Sequence, residues 1–519
     1  MARLGIDFGT TNTVATIHDR GIFTTVLHQA LTRAGTVTQE TFPSAILIDK
    51  ANRQRWFGLD ADRRFAQLGP ADGCVFVPSL KRKLRDYAES SAAADFEIAD
   101  HLTAYLQALA ESIRRSLSLA GDEPLETVIT WPANANGARR HITRKCFREA
   151  GFEVIDTLNE PTASAIELAD CLTAGQDRRK TTFQSAVAVF DLGGGTFDAS
   201  VVCIDGRHFR VLTSAGIQNL GGDDFDDLLL EMFLEKLGIA SDSVGTLTRC
   251  ALLRQARLQK ETISTGLVES LFINPPDFGL RGQPTSISVE AFNERARPML
   301  APAIDLLRKT IRSASGIQKR IKDDPSLLVY LVGGSSKLPL VAELVSEALP
   351  RSRVVLTDKP FRSVAMGAAI CAMDQVSYRD VFARHFGLIR LQDHGQMETF
   401  DTIFPCGTPI PRKSEPPLEK VTWYHPVHSI GHLRYLECTD VGPDGMPAEG
   451  VRNWSDILFP YDPALPLSGS FSQSDIISTD RFAADTVCEI YRCDSDGVIT
   501  VELRRPAADD SRCYEIYED

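Results

Sequence analysis

The sequence predicts an α/β protein of two matching lobes facing one cleft, followed by an all-β sandwich domain, and three observations carry that expectation. Residues 188–198 run apolar to Asp191, turn on Gly193, Gly194 and Gly195, and leave through a second apolar run at 199–204, the pattern of two buried strands in a hairpin. Leu4, Gly5, Ile6, Asp7, Phe8, Gly9, Thr10, Thr11 and Asn12 repeat that scheme about one domain length earlier. Beyond Asp374 the texture changes to short alternating segments separated by proline and glycine turns.

The chemistry of the glycine turn points to a ligand. Three successive glycines place no Cβ in the way, so their N–H groups can converge on an anion such as phosphate. Thr196 adds a hydroxyl, and Asp191 and Asp198 add hard oxygen ligands of the kind Mg2+ takes, often through water. A glycine hairpin with solvated aspartates accounts equally well for this stretch taken alone. Its recurrence at Asp7 favours a Mg-nucleotide site between two lobes.

At 519 residues and 43% hydrophobic content the chain can bury two to four domain cores. The net charge of −13 is spread along the sequence, which argues against nucleic acid and anionic membrane as partners. No secretory apolar region follows Met1 and no apolar run approaches about 18 residues, so no export signal, no membrane span and a cytoplasmic location are expected. The eleven cysteines contain no CxxC pair, and Cys203 and Cys371 sit in apolar runs, so free buried thiols are expected. Cys488 and Cys493 are the nearest pair, without clustered histidines to make a zinc site.

Along the chain, residues 13–17, 24–27 and 45–48 read as strands of the first lobe's sheet. Residues 77–84 form a basic segment in which Lys81, Arg82 and Lys83 read locally as a solvated face. A helix is expected over 97–118, a strand over 127–132 ended by Pro132, and a basic helix over 136–150. Asn159, Glu160, Pro161 and Thr162 open a helix reaching residue 172, with Asn159 as N-cap candidate and Pro161 in the first turn. Glu160 there either complements the helix dipole or, if the helix abuts the cleft, positions water or Mg2+. Residues 176–182 read as a polar connection.

Gly221 and Gly222 make a further glycine turn, opening a helix through Leu237 whose end can face an anion. Helical patterns cover 249–264 and 291–320, and a buried strand at 327–332 ends in Gly333, Gly334 and Ser335 before another helix. Residues 365–372 are expected to close the second lobe. Strands at 386–391, 397–404, 420–424, 432–438, 498–503 and 513–517 make the sandwich, with 441–469 as a turn-rich insertion.

Taken together and in this order, residues 6–12, 159–162, 190–198, 220–226 and 333–339 resemble the signature elements of the DnaK-type heat-shock chaperone family, strongly over about residues 1–375 and weakly beyond. The resemblance implies an actin-like ATPase fold with two ribonuclease-H-like lobes, about 1–180 and 181–375, around a nucleotide cleft. A linker at 376–385 and a β-sandwich substrate-binding domain at 386–519 would follow. It implies an ATPase that hydrolyses Mg-ATP to ADP and phosphate to control binding of unfolded or extended peptides, aided by a J-domain protein or a nucleotide exchange factor.

Residue by residue, the resemblance puts Asp7 and Asp191 on Mg2+ and its waters, and Thr10, Thr11 and Thr196 on the phosphates. Gly9, Asn12, Gly193, Gly194, Gly195, Gly221, Gly222, Gly333, Gly334 and Ser335 would complete the nucleotide contacts. Lys81 would face the γ-phosphate and the attacking water, with Glu160 and Asp198 completing the hydrolytic site. Lys260 and Ser264 match ribose and adenine contacts, and Lys337 replaces an arginine at the adenine. Pro132 and Arg140 match a relay between the nucleotide and substrate domains.

The sequence also departs from the family pattern. Arg257 stands where an acid is usual, Glu261 where some members are basic, and Phe361 where an acid is common, so the phosphates are expected to be held more firmly than the base. Asp156 replaces an arginine used by J-domain partners, so standard J-domain proteins are expected to act weakly. The hydrophobic linker is faint around Asp380, Val381 and Phe382. No helical pattern follows Leu503, which predicts a β domain without a helical lid and fast peptide release. An actin-like filament ATPase would share the cleft without needing the β domain, and a small-molecule kinase of the superfamily would need a base for a substrate hydroxyl.

Overall fold

The computed structural model describes residues 3–19, 22–32, 35–68, 73–89, 98–132, 135, 137–173, 184–317, 327–357, 359–373, 376–382, 384–392, 397–449, 451–477 and 486–516. The expected connection at 176–182 and the change of texture at Asp374 lie outside them. Two compact units emerge, Met1–Ala133 with Ile142–Tyr378, and Asn134–His141 with Arg379–Asp519.

The first unit rests on two sheets with the same strand order. One runs Phe152–Asn159, Leu125–Trp131, Arg3–Phe8, Asn12–Asp19, Ile22–Thr25; the other runs Arg353–Leu356, Leu328–Val332, Gln184–Leu192, Phe197–Asp205, His208–Ile217. In each, the central strand pairs in parallel on one side and antiparallel with its hairpin neighbour on the other. Parallel strands covered on both faces read as continuous apolar runs, and Leu328–Val332 is buried at every position. Asp7 and Asp191 are the penultimate residues of the two central strands, so the doubled topology gives them equivalent places.

Several expectations are corrected here. Ile46–Asp49 belongs to a separate three-stranded sheet with Arg55–Phe57 and Cys74–Val77, and only Phe42–Pro43 joins the first sheet. Ser363–Cys371, expected to close the second lobe, packs instead on the first sheet: a Cβ at Gly5 would overlap the backbone of Ala365 and Ala369, and one at Gly367 would overlap Ala163 in the Glu160–Thr173 helix. Chain order misled, because this run of small residues fits wherever two backbones can meet. The Glu160–Thr173 helix also reaches the second sheet, where Tyr330 Oη donates to Glu167 Oε2 at 2.5 Å. Helices Gly222–Leu237, Thr246–Ile263 and Val289–Ile317 cover the second sheet through one apolar cluster that includes Phe197, Phe225, Phe233, Leu252 and Phe292. Among the described residues no helix is long and apolar enough to cross a membrane.

The second unit is a sandwich of two four-stranded sheets. One runs Met397–Phe404, His385–Gln392, Ile430–Cys438, Arg452–Pro460, and the other Leu418–Tyr424, Val487–Cys493, Ile499–Arg505, Asp510–Glu515. Phe386, Leu388, Tyr435 and Phe459 from one sheet share a core with Val487, Tyr491, Val501 and Leu503 from the other. The stretch read as an insertion contains the strand Arg452–Pro460, and Val487–Cys493 was not anticipated. The segment expected as a linker is folded: Ser377 N–H donates to Arg207 O, Val381 bridges Pro409, and the Phe382 ring stacks on Phe404 at 5.3 Å. All eleven cysteines are free; Cys371 is buried as expected, with Cys146, Cys438, Cys488 and Cys493, whereas Cys203 is only half-buried and Cys171, Cys406 and Cys513 are exposed.

The sandwich core also holds charge. Glu489 is 0% exposed and accepts Arg390 Nη2 at 2.5 Å, Arg390 Nη1 at 3.3 Å, and the hydroxyls of Tyr424 and Tyr491 at 2.7 Å each. Arg390 Nε reaches Asp401 at 2.7 Å. Arg390 belongs to one sheet and Glu489 to the other, so the pair ties the two together. Removing one partner strands a buried charge, at a cost of about 3–5 kcal/mol, whereas removing both at once costs far less. Arg390→Met or Glu489→Leu alone is therefore expected to shift the urea unfolding of the sandwich by about that amount, and the double variant by much less. A loss in the double variant equal to the sum of the two single losses would show that the pair is not coupled.

Candidate active site

The two hairpin turns meet. A Cβ at Gly194 would overlap Thr11 Oγ1, so only a glycine lets the second turn approach the first this closely. The first turn is fixed from behind at three carbonyls: Ser44 Oγ donates to Gly9 O at 2.7 Å, Ser79 Oγ to Thr10 O at 2.7 Å, and Ser44 N–H to Thr11 O at 2.9 Å. The second is fixed by Gly222 N–H to Gly193 O at 2.9 Å, Asp223 N–H to Gly194 O at 2.7 Å, and Ser335 Oγ to Gly193 O at 2.8 Å. Gly333, at φ 81, lies against Asp191 Oδ1 and Leu192 O, where a side chain would be both strained and obstructed.

Ser79 has a second task. Its Oγ accepts Arg82 N–H at 3.2 Å, and Ser44 O accepts Leu80 N–H at 2.9 Å, so the residues that hold the first turn also start the Leu80–Glu89 helix. That start aims Lys81 inward. Lys81 is 6% exposed and donates to Glu160 Oε1 at 2.8 Å, which overturns its local reading as part of a solvated face. Glu160, 7% exposed, opens its helix at the cleft rather than only complementing a dipole. Arg82 is not solvated either: it pairs with Asp223 at 3.3 Å and Asp224 at 3.7 Å, and only Lys83 of the three is exposed. Asn159 ends a strand, and its Oδ1 has no hydrogen-bond partner among the described residues, so it does not cap the helix.

A cavity of about 270 Å3 lies between these elements. Of the expected residues, Asp7, Gly9, Thr10, Thr11, Asn12, Lys81, Glu160, Asp191, Gly193, Gly194, Thr196, Gly222, Lys260, Ser264, Gly333, Gly334, Ser335 and Lys337 line it. Asp198, Gly195 and Gly221 do not. Asp198 sits buried across the hairpin from Asp191, Gly195 lies against Thr10 and Arg82, and Gly221 backs onto Gly194 and Gly195. Asp223 and Val14 also line the cavity; Val14 was missed, since a buried valine on a strand gives no functional signal.

The lining is over-rich in carboxylates. Burial, and then the nearby Glu160, pushes Asp7 up to about 7, against the pull of Lys81 and the Thr130 hydroxyl. Burial, then Glu160, Asp198 and Asp7, raises Asp191 well above the carboxylate range. Such a cluster suits a cation. Among the described residues no group of three or more His, Cys, Asp or Glu side chains is arranged to hold a metal directly.

At the opposite end the departures form their own network. Arg257 pairs with Asp223 at 2.9 Å and Asp226 at 3.0 Å, and Lys260 is held by Asp226 at 2.7 Å and Gly222 O at 2.5 Å. Ser264 Oγ donates to Glu261 O, and Lys337 Nζ lies 5.2 Å from the Phe361 ring, which rests on Gly334. Asp156 accepts Tyr378 Oη at 2.9 Å. Arg140, grouped with the second unit, donates to Ala135 O at 3.1 Å, and Pro132 is buried.

Two equivalent Asp-bearing strands, facing glycine turns and a buried lysine define the class of site, and comparison with known proteins supplies the family. The family model described as "Hsp70 protein" matches residues 93–382, more than half of the chain, and the chain belongs to that family. It is 39% identical over 267 residues to the chaperone protein HscA of Cronobacter sakazakii, and 36% identical over 270 residues to HscA of Escherichia coli. Each match covers 51% of this chain and 39% of the relative, so the chain spans about two-fifths of the length of the relatives it matches.

The raised Asp7 predicts a pH effect with a definite sign. Its carboxyl ionises near 3.8 in the unfolded chain and near 7 when folded, so between those values the folded state holds the extra proton. The stability contributed is whole below pH about 4 and is lost as pH rises through about 7. In EDTA, urea midpoints are expected to fall across that window, and Asp7→Asn is expected to flatten the fall. An unchanged slope in Asp7→Asn would refute this assignment.

Proposed function

We propose that this chain is an ATP-driven, peptide-binding chaperone, in which the first unit hydrolyses Mg-ATP and the sandwich holds unfolded or extended segments. The fold we assign is the actin-like ATPase fold, two ribonuclease-H-like lobes around a nucleotide cleft, followed by a substrate-binding β-sandwich. The repeated strand order supports it. The observation that carries the reading is the buried Lys81–Glu160 pair beside Asp7 and Asp191 and beneath two glycine turns.

Phosphoryl transfer to water needs positioning and charge stabilisation more than covalent help. The backbone N–H groups of the glycine turns and the hydroxyls of Thr10, Thr11 and Thr196 hold the phosphates. Lys81 presents its ammonium to the γ-phosphate and the attacking water, and Glu160 fixes that ammonium and orients the water. Asp7 and Asp191 would hold Mg2+ through its waters, and the ion would supply neutralising charge on the phosphates. Asp198 acts from behind Asp191, as a charge rather than a contact. A J-domain protein or an exchange factor would complete the cycle, and Asp156, already bound to Tyr378, offers such a partner little.

Lys81→Ala is expected to lower single-turnover ATP hydrolysis by about 100-fold or more, leaving equilibrium nucleotide binding near wild type. Lys83→Ala, on the exposed side of the same helix, is expected to change neither. Equal small effects at both would return Lys81 to a structural role. Ser79→Ala is expected to cut kcat between about 10-fold and 100-fold with KM held, because it frees both the Thr10 carbonyl and the helix that aims Lys81, and Ser79→Thr should restore it. On the full chain, an unfolded peptide should accelerate ATP turnover; no response to any peptide would argue against the chaperone reading.

A further inference from the structure

The second unit contains a cavity of about 1040 Å3 whose floor is built on the Arg390 network. Arg390, Asp401, Tyr424 and Tyr461 line it, together with residues 398–401 of the strand Met397–Phe404. That strand ends its sheet, and an edge strand can pair with an extended chain.

The protons on this floor can be assigned. A phenol carries one proton. Tyr424 gives its proton to Glu489 at 2.7 Å, so the 2.7 Å contact between Tyr424 and Tyr461 is donated by Tyr461, whose oxygen is left as an acceptor. Burial foremost, with Glu489 nearby, pushes both phenols up, so both keep their protons. The Tyr461 hydroxyl lies against Gly431, where a Cβ would overlap it, so the strand beneath adds no side chain there. Arg390 spends three of the five N–H donors of a guanidinium on Asp401 and Glu489, and the other two meet no partner among the described residues.

An acceptor on Tyr461 and unspent N–H donors on Arg390, both in the lining of one cavity, make the complement of a primary carboxamide, whose NH2 donates and whose oxygen accepts. A methylene or thioether placed there would bury those groups unpaired. We propose that this cavity binds an extended polypeptide by capturing an asparagine or glutamine side chain on Tyr461 and Arg390. This names the side chain that the sandwich selects, and so rests on the reading of that unit as a peptide binder.

The test uses the full chain and fluorescence anisotropy with two labelled heptapeptides, identical except for a central Gln or Met of equal length. The Gln peptide is expected to bind roughly fivefold to tenfold more tightly, the worth of about one hydrogen bond. Tyr461→Phe, which removes only an oxygen, should bring the ratio close to one while the Met peptide's affinity holds. Equal or tighter binding of the Met peptide to the wild type sinks the amide preference and leaves the peptide-binding reading standing. A ratio unmoved by folded Tyr461→Phe sinks it too. Binding of neither peptide overturns the peptide-binding reading and this assignment with it. A dimer dissociated by the Gln peptide in sedimentation would give the cavity to a second copy instead. The wild-type ratio decides the matter even if Tyr461→Phe fails to fold.

Discussion

The ammonium of Lys81 against the carboxylate of Glu160, 2.8 Å apart and out of water, is the interaction on which the first unit's site depends. Neither charge would stay buried alone. Lys81 is also what opposes the crowding of negative charge on Asp7 and Asp191. Its position is inherited from the first glycine turn, since Ser79 ties the helix start to Thr10 and Ser44 ties both to Gly9 and Thr11. A displacement of the turn is therefore a displacement of the lysine.

The two units treat buried charge differently. In the sandwich, Arg390 and Lys420 face Asp401 and Glu489, and the charges balance. In the cleft, Lys81 faces Asp7, Glu160 and Asp191, and they do not. An unbalanced cluster asks for a ligand that brings charge of its own, whereas a balanced one offers only directed donors and acceptors. The first suits a metal-bound phosphate and the second a neutral polar group.

How much of this was legible in the sequence follows from what each feature depends on. Hairpin strands and glycine turns declare themselves locally, so the Asp7 and Asp191 elements and most sandwich strands fell where the pattern put them. Lys81 was locally indistinguishable from a solvated residue, because its partner lies 79 positions away, and only the family resemblance pointed inward. Val487–Cys493 hid for a related reason: Glu489 interrupts its inward apolar face, and the arginine that makes this tolerable is 99 positions distant. Arg452–Pro460 was masked by the turn-rich residues before and after it. Ser363–Cys371 was recognised as buried but assigned by chain order, whereas its small residues let it pack on a strand at the other end of the sequence.

That helix has a mechanical consequence. Where Gly5 meets Ala365 and Ala369, and Gly367 meets Ala163, backbone lies on backbone with no large side chain reaching across. Because neither glycine carries a Cβ, each is a notch that receives its neighbour's backbone at one place, and moving the helix along the strand would drive it onto residues that do carry side chains. The seam beside the cleft is thus a registered stop, fixing where the helix lies along the strand as well as how near it comes.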